Sequence, residues 1–253
     1  MTTAVTARRV FAVVPAAGRG ARFDPTVNAS PKQYAALLGA SVIEWSLSAL
    51  MQEPRIEKVV VVVAADDVRW PALAAALGKK SAEAGAASKI LSTVGGASRQ
   101  ESVLSGLRAL RAVAHPEDWV LVHDAARPCL TGADVRALIE ALDRGAGGAV
   151  LAAPIVDTVK RESGGLVSET VDRTGLWRAL TPQVFALGEL DRALADAAGR
   201  GITVTDEAQA IERLGGRPRL VQGSPFNIKV TRAEDLAIAS RILRAAGEES
   251  RCE

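Results

Sequence analysis

The chain has 253 residues, is 48% apolar, and carries 31 Lys and Arg against 29 Asp and Glu, a net charge of +2. That length supports a sizeable core, and the near-neutral balance excludes a bulk field aimed at nucleic acid or an anionic membrane, so any anion site is local. No apolar run reaches the ~18 residues of a membrane helix. Cys129 and Cys252 are distant in sequence and outside any CxxC or metal-type spacing, which argues against a disulfide framework or zinc site and for a reducing cytoplasm.

The first predicted element is the apolar run Val10–Val14. Basic residues precede it as in a leader peptide, but the run is short, Pro15 interrupts it, and a functional-looking loop follows, so it reads as a strand. Further Val- and Ile-rich runs predict strands at Val59–Ala64, Ile90–Val94, Val120–Val122, Ala149–Ala153 and Leu220–Val221. Helical periodicity falls between most of them, at Val42–Gln52, Val68–Leu77, Gln100–Val113, Gly132–Leu142, Leu187–Ala198, Asp206–Leu214 and Ala233–Ala246. Near-continuously apolar strands alternating with helices imply an α/β protein with a mostly parallel sheet covered on both faces. Ligands bind such sheets at the carboxyl ends of the strands.

One segment breaks the rhythm. Asp157–Arg173 alternates apolar and polar residues on either side of Gly164-Gly165, which predicts a β-hairpin. Its apolar content is too low for a core of its own, and a bare two-stranded hairpin is marginal in water, so it docks on something else.

Candidate chemistry clusters in the loops after the strands. Gly18-Arg19-Gly20 follows the first strand, where glycine lets the backbone wrap closely round a phosphate chain. Phe23 stands where a dinucleotide fingerprint needs a small residue, and GxxxxGK[ST] is absent, so neither of the two commonest nucleotide loops is present. Arg22 and Lys32 supply two cations beside the glycines, suited to a triphosphate and to a leaving pyrophosphate. Gly95-Gly96 precedes a helix that carries Ser102 in its first turn, suited to a base or sugar edge. Asp124, just past an apolar strand, is a candidate for a divalent metal and ligand hydroxyls, and Arg127 for a second anion. His123 reads as structural. Lys229, in the "NIKVT" segment expected to end the sheet, either pairs with a carboxylate or meets ligand phosphate.

PAAGxGxR, PKQY, GGxxRxxSVxxGL, VHDAARP, DTxK, LTPQxF, TDEA and NIKVTxxEDL occur in order from about residue 9 to 239. Together they resemble the 2-C-methyl-D-erythritol 4-phosphate cytidylyltransferase family of isoprenoid-precursor enzymes. The resemblance implies one Rossmann-like nucleotidyltransferase domain over residues 9–246, with a dimerisation arm at about 156–174. It also implies a homodimer with shared active sites, CTP as cosubstrate, Mg²⁺, and pyrophosphate as a product, beside the cytoplasmic setting read from the cysteines.

By resemblance, Arg22 and Lys32 stabilise the transition state, while Arg173 and Lys229 position methylerythritol phosphate. Pro15, Ala16, Ala17, Gly18, Gly20, Gly96 and Ser102 match the nucleotide pocket. Asp124 matches the acid near Mg²⁺ and substrate, with Arg127, Thr158, Thr181 and Thr205 as further substrate contacts. Two departures stand out: the segment 23–30 is a few residues longer than in many members, and Ala97 stands where some carry a polar residue. The alternatives are the same chemistry on another alcohol phosphate, such as ribitol 5-phosphate, or a non-catalytic nucleotide-binding regulator.

Overall fold

The computed structural model describes residues 8–18, 23, 31–83, 85 and 87–249. In chain order the elements are β1 (Val10–Pro15), β2 (Ala36–Leu37), β3 (Ala40–Ser41), α1 (Val42–Gln52), β4 (Ile56–Val63), α2 (Trp70–Glu83), β5 (Ile90–Val94), α3 (Arg99–Leu110) and β6 (Trp119–Val122). They continue with α4 (Gly132–Asp143), β7 (Gly148–Pro154), β8 (Val159–Ser163), β9 (Leu166–Val171), β10 (Trp177–Ala186), α5 (Leu187–Gly199), α6 (Glu207–Arg213), β11 (Arg219–Gln222) and α7 (Asp235–Glu249).

Seven strands form one sheet in the order β11-β7-β10-β6-β1-β4-β5. All neighbours run parallel except β10, which is antiparallel to both β6 and β7. The period-2 alternation of β1 divides the core. Val10, Ala12 and Val14 share one buried cluster with Ile43, Leu47 and Leu50 of α1, Leu138 of α4 and Leu77 of α2. Phe11 and Val13 belong to the other, with Val103 and Leu107 of α3, Leu190 and Leu194 of α5 and Ile211 of α6. Both faces of the central strands are therefore covered, and the carboxyl edge of the sheet is the end left open to ligands.

β10 was not among the predicted strands. Pro182 sits inside it, and a proline normally argues against a central strand because it cannot donate to the ladder. The chain accommodates it at a register shift between Ala179 and Gln183, where the Thr181–Pro182 bond is cis. The expected helix Val68–Leu77 instead runs from Trp70 to Glu83. Pro71 occupies its first turn, where a missing N–H costs nothing, and Gly78 is carried inside it at the modest penalty of a mid-helix glycine.

The hairpin forms at its expected place as β8 and β9, paired only with each other and turned at Gly164 and Gly165, both at positive φ. "NIKVT" is not a strand. It is an irregular segment anchored by the Val230 N–H to the Ala126 carbonyl at 2.8 Å. Val230 packs there with Leu37, Val42, Cys129 and Ala239, the last of these on α7.

Candidate active site

At the carboxyl edge, the loops after β1, β5 and β6 and the irregular segment around Lys229 enclose a cavity of about 350 Å³. Its lining brings together Pro15, Ala16, Ala17, Gly18, Lys32, Gly96, Ser102, Asp124 and Lys229 from the sequence analysis, and adds Gln33, Ser98, Arg99 and Thr231. Gly20 and Arg22 lie outside the described residues. The β5–α3 turn must be glycine: a Cβ on Gly95 would come within 2.6 Å of Ser102 Oγ and 2.8 Å of Ala17 Cβ. Ser98 caps α3 by accepting the Glu101 N–H at 3.1 Å, which fixes the first turn that carries Arg99 and Ser102.

Asp124 is the electrostatic centre. It is 7% exposed, and cations hold both its oxygens: Arg99 Nε donates to Oδ1 at 3.1 Å and Lys229 Nζ lies 2.8 Å from Oδ2. Arg127 Nε approaches Oδ2 at 3.5 Å. Burial opposes ionisation here, but the charges of Arg99 and Lys229, the Lys229 hydrogen bond and the Arg127 charge overcome it and hold the carboxyl far below the usual range. Of the two expectations for Lys229, a carboxylate partner or ligand phosphate, the structure shows the carboxylate, and the side chain remains 36% exposed at the cavity wall.

Arg99 and Glu207 escaped the sequence analysis as site residues. The Arg99 guanidinium grips Glu207 in a two-pronged pair at 2.6 and 3.0 Å while its Nε serves Asp124. Glu207 is 1% exposed, and burial pushes its carboxyl above the ordinary value despite the Arg99 charge. Both residues stand within the motifs GGxxRxxSVxxGL and TDEA. As charges in first helical turns they resemble ordinary helix-end partners, and only the fold shows that they meet.

Thr181 and His123 support Asp124 from behind. The Asp124 N–H donates to Thr181 Oγ1 at 3.1 Å, and Thr181 Oγ1 lies 3.1 Å from His123 Nδ1. His123 Nε2 is 3.2 Å from the Arg127 carbonyl, an acceptor, so Nε2 carries the proton and Nδ1 accepts from the threonine hydroxyl. Burial pushes the imidazole pKa down to about 4, so His123 is neutral at pH 7. Arg127 also lies behind the cavity, donating to the Asn227 carbonyl at 2.7 Å; among the described residues its Nε and Asn227 Oδ1 are buried without a hydrogen-bond partner.

Thr158, Arg173 and Thr205 do not line the cavity. All three are exposed, the first two beside the hairpin, where Arg173 hydrogen-bonds the Val156 carbonyl. No cluster of three or more metal-ligating side chains occurs among the described residues. Asp124 fits Mg²⁺ as one protein ligand of an ion carried mainly by phosphate oxygens and water, because each carboxylate oxygen keeps a lone pair beyond those engaged by Arg99 and Lys229.

A three-layer α/β sheet with a glycine loop and convergent cations at its carboxyl edge defines a protein that binds phosphorylated ligands at a Rossmann-like switch region. The sequence pattern of the 2-C-methyl-D-erythritol 4-phosphate cytidylyltransferase family matches residues 10–245. Proteins of that name from Acidithiobacillus ferrooxidans and Halorhodospira halophila are 48% and 46% identical to this chain, covering 95% and 94% of it and 99% and 95% of their own lengths. A crystal structure of a 4-diphosphocytidyl-2C-methyl-D-erythritol synthase superposes with a TM-score of 0.79 at 36% identity, covering 94% of this chain and all of that one. The Francisella tularensis 2-C-methyl-D-erythritol 4-phosphate cytidylyltransferase superposes at 0.75 with 30% identity, covering 92% of this chain and 99% of its own. The chain belongs to the 2-C-methyl-D-erythritol 4-phosphate cytidylyltransferase family.

Proposed function

We propose that the protein transfers the cytidylyl group of CTP to 2-C-methyl-D-erythritol 4-phosphate, giving 4-diphosphocytidyl-2-C-methyl-D-erythritol and pyrophosphate, in non-mevalonate isoprenoid synthesis. The observation that carries the reading is the convergence of Lys32, Arg99 and Lys229 with Asp124 around one cavity beside the glycine loop. A phosphate monoester is mostly dianionic at neutral pH, its second pKa being about 6. Its oxygen attacks the α-phosphorus of CTP while the bond to the bridging oxygen breaks and pyrophosphate departs with the electron pair. No general base is required, in keeping with a neutral His123 held away from the cavity.

The chain's work is to hold two polyanions in line and to meet developing charge. Lys32 and Arg22 stabilise the transition state and the leaving pyrophosphate. Lys229, tethered by Asp124, positions the attacking phosphate together with Arg173. Pro15 to Gly18, Gly20, Gly96 and Ser102 hold the nucleotide; Arg127, Thr158, Thr181 and Thr205 complete the sugar-phosphate side. Asp124 is the side chain that would hold Mg²⁺, whose bound charge offsets that of the phosphates.

The domain of this reading spans 9–246, with the arm at 156–174, and the setting is the cytoplasm, where CTP is available. No described helix is long and apolar enough to cross a membrane. The arm belongs to a homodimer in which Thr158 and Arg173 serve the partner's site. Its support is that Val156, Leu166 and Val167 are exposed on the hairpin or just before it, while those two polar residues stay away from their own chain's cavity.

The test is pyrophosphate release from CTP with methylerythritol phosphate and ribitol 5-phosphate in parallel. The expected result is turnover with methylerythritol phosphate, abolished by EDTA and restored by excess Mg²⁺. Preference for ribitol 5-phosphate overturns the substrate, tight CTP binding without turnover favours a regulator, and full activity in EDTA removes the metal.

A further inference from the structure

Lys32 lies in a single 3₁₀ turn, Lys32–Tyr34, between the glycine loop and β2. Three residues alone have no cooperative stability, so something outside the turn must hold it. Gln33, its middle residue, is 4% exposed and lines the cavity. Its Nε2 donates to the Ala16 carbonyl at 2.6 Å and to the Gly18 carbonyl at 3.2 Å, spending both amide protons on the nucleotide loop. Both partners are carbonyl oxygens, so the orientation of the amide is dictated by chemistry. The next residue adds a second anchor: the Tyr34 hydroxyl donates to Asp67 Oδ2 at 2.6 Å, in the loop after β4.

We propose that Gln33 is a positioning residue for the transfer reaction: its carboxamide bolts the Lys32 turn to the Ala16 and Gly18 carbonyls and so sets where the lysine ammonium stands over bound polyphosphate. The inference rests on the reading of Lys32 as a transition-state cation. A trans peptide unit holds C=O and N–H antiparallel. Fixing the Ala16 carbonyl therefore also fixes the direction of the Ala17 N–H, at the cavity wall. One side chain thus ties together the two devices that meet the phosphates, the glycine-loop backbone and the lysine.

The experiment measures kcat and KM for CTP in Gln33→Met, Lys32→Ala and the double variant, with a thermal melt of each. Displacement of a reacting or stabilising group by about 1 Å can cost on the order of 10²-fold. Gln33→Met is expected to lower kcat by about 10- to 100-fold, with KM within about threefold of wild type. In the Lys32→Ala background its further cost is smaller than in the wild-type background, because one of the two groups it positions is gone and only its hold on the glycine-loop backbone remains. A kcat for Gln33→Met within about twofold of wild type, or full multiplication of the two losses in the double variant, overturns the proposal.

Those failures are distinguishable from a failure of the underlying reading, which shows as near-normal kcat in Lys32→Ala itself and takes the proposal down with it. Should Gln33→Met not fold, Gln33→Glu replaces it as the test. Its protonated form can still donate one hydrogen bond to a loop carbonyl and its ionised form none. Its kcat relative to wild type therefore rises as pH falls, and a flat ratio overturns the proposal.

Discussion

The floor of the cavity and the β8–β9 hairpin both carry residues expected to touch substrate, yet they are stabilised in opposite ways. Around Asp124, Arg99, Glu207, Thr181 and His123 the contacts lie within the chain, and the charges are compensated at 2.6–3.1 Å. The hairpin pairs only with itself and leaves Leu166 at 75% and Val167 at 66% exposure. Preorganised charge in a dry cleft is what stabilises a phosphoryl-transfer transition state. A bare hairpin gives no such rigidity by itself. On the proposed reading the site is half finished within one subunit, and the half that meets the sugar phosphate waits for a partner surface.

The sharpest blow to the cavity, on the proposed reading, is the loss of the Lys32 ammonium at its wall. Removing one transition-state contact typically costs about 10²–10³ in kcat, and Lys32→Ala is expected to fall by that much, with Arg22→Ala alike. Steady-state pyrophosphate release measures it. A near-normal kcat would strip the floor of its assigned role.

A smaller effect tests whether the floor is a rigid, buried network. His123 titrates near 6.5 when unfolded and at about 4 in the folded chain, because burial disfavours the imidazolium. Between those values the unfolded state binds more protons, so the contribution of the neutral imidazole to stability is fully present above pH 6.5 and is lost as pH falls toward 4. Over roughly 2.5 pH units this amounts to roughly 3 kcal/mol. Urea unfolding of wild type and His123→Gln across about pH 4–7 checks it: the difference between them should shrink by about that amount as pH drops. A pH-independent difference would mean that His123 is not buried neutral.

How far the sequence reveals these two regions follows from which interactions are local. β1, β4, β6 and β7 announce themselves as apolar runs, since strands covered on both faces are apolar throughout, and the edge strand β5 is legible from its β-branched residues. The hairpin is legible from its alternation and Gly164-Gly165. β10 is hidden because Pro182 in a central position is tolerated only through a register shift against β7. The same divide runs through the site. The glycine loop, Lys32 and Asp124 follow strands and carry their own local signal. Arg99 and Glu207 are 108 residues apart and Gln33 is 17 from Ala16, so their partnerships exist only once the chain has folded.

The claim that the floor is completed by the partner's arm is tested most directly by mixing two inactive variants, Lys32→Ala and Arg173→Ala, under conditions where subunits exchange. If Arg173 serves the partner's site, each mixed dimer contains one site with both defects and one with neither. Random pairing makes half of the dimers mixed, so about a quarter of wild-type activity returns. No recovery, with exchange demonstrated by mass-tagged subunits, would contradict the account and leave each cavity served by its own chain's arginine.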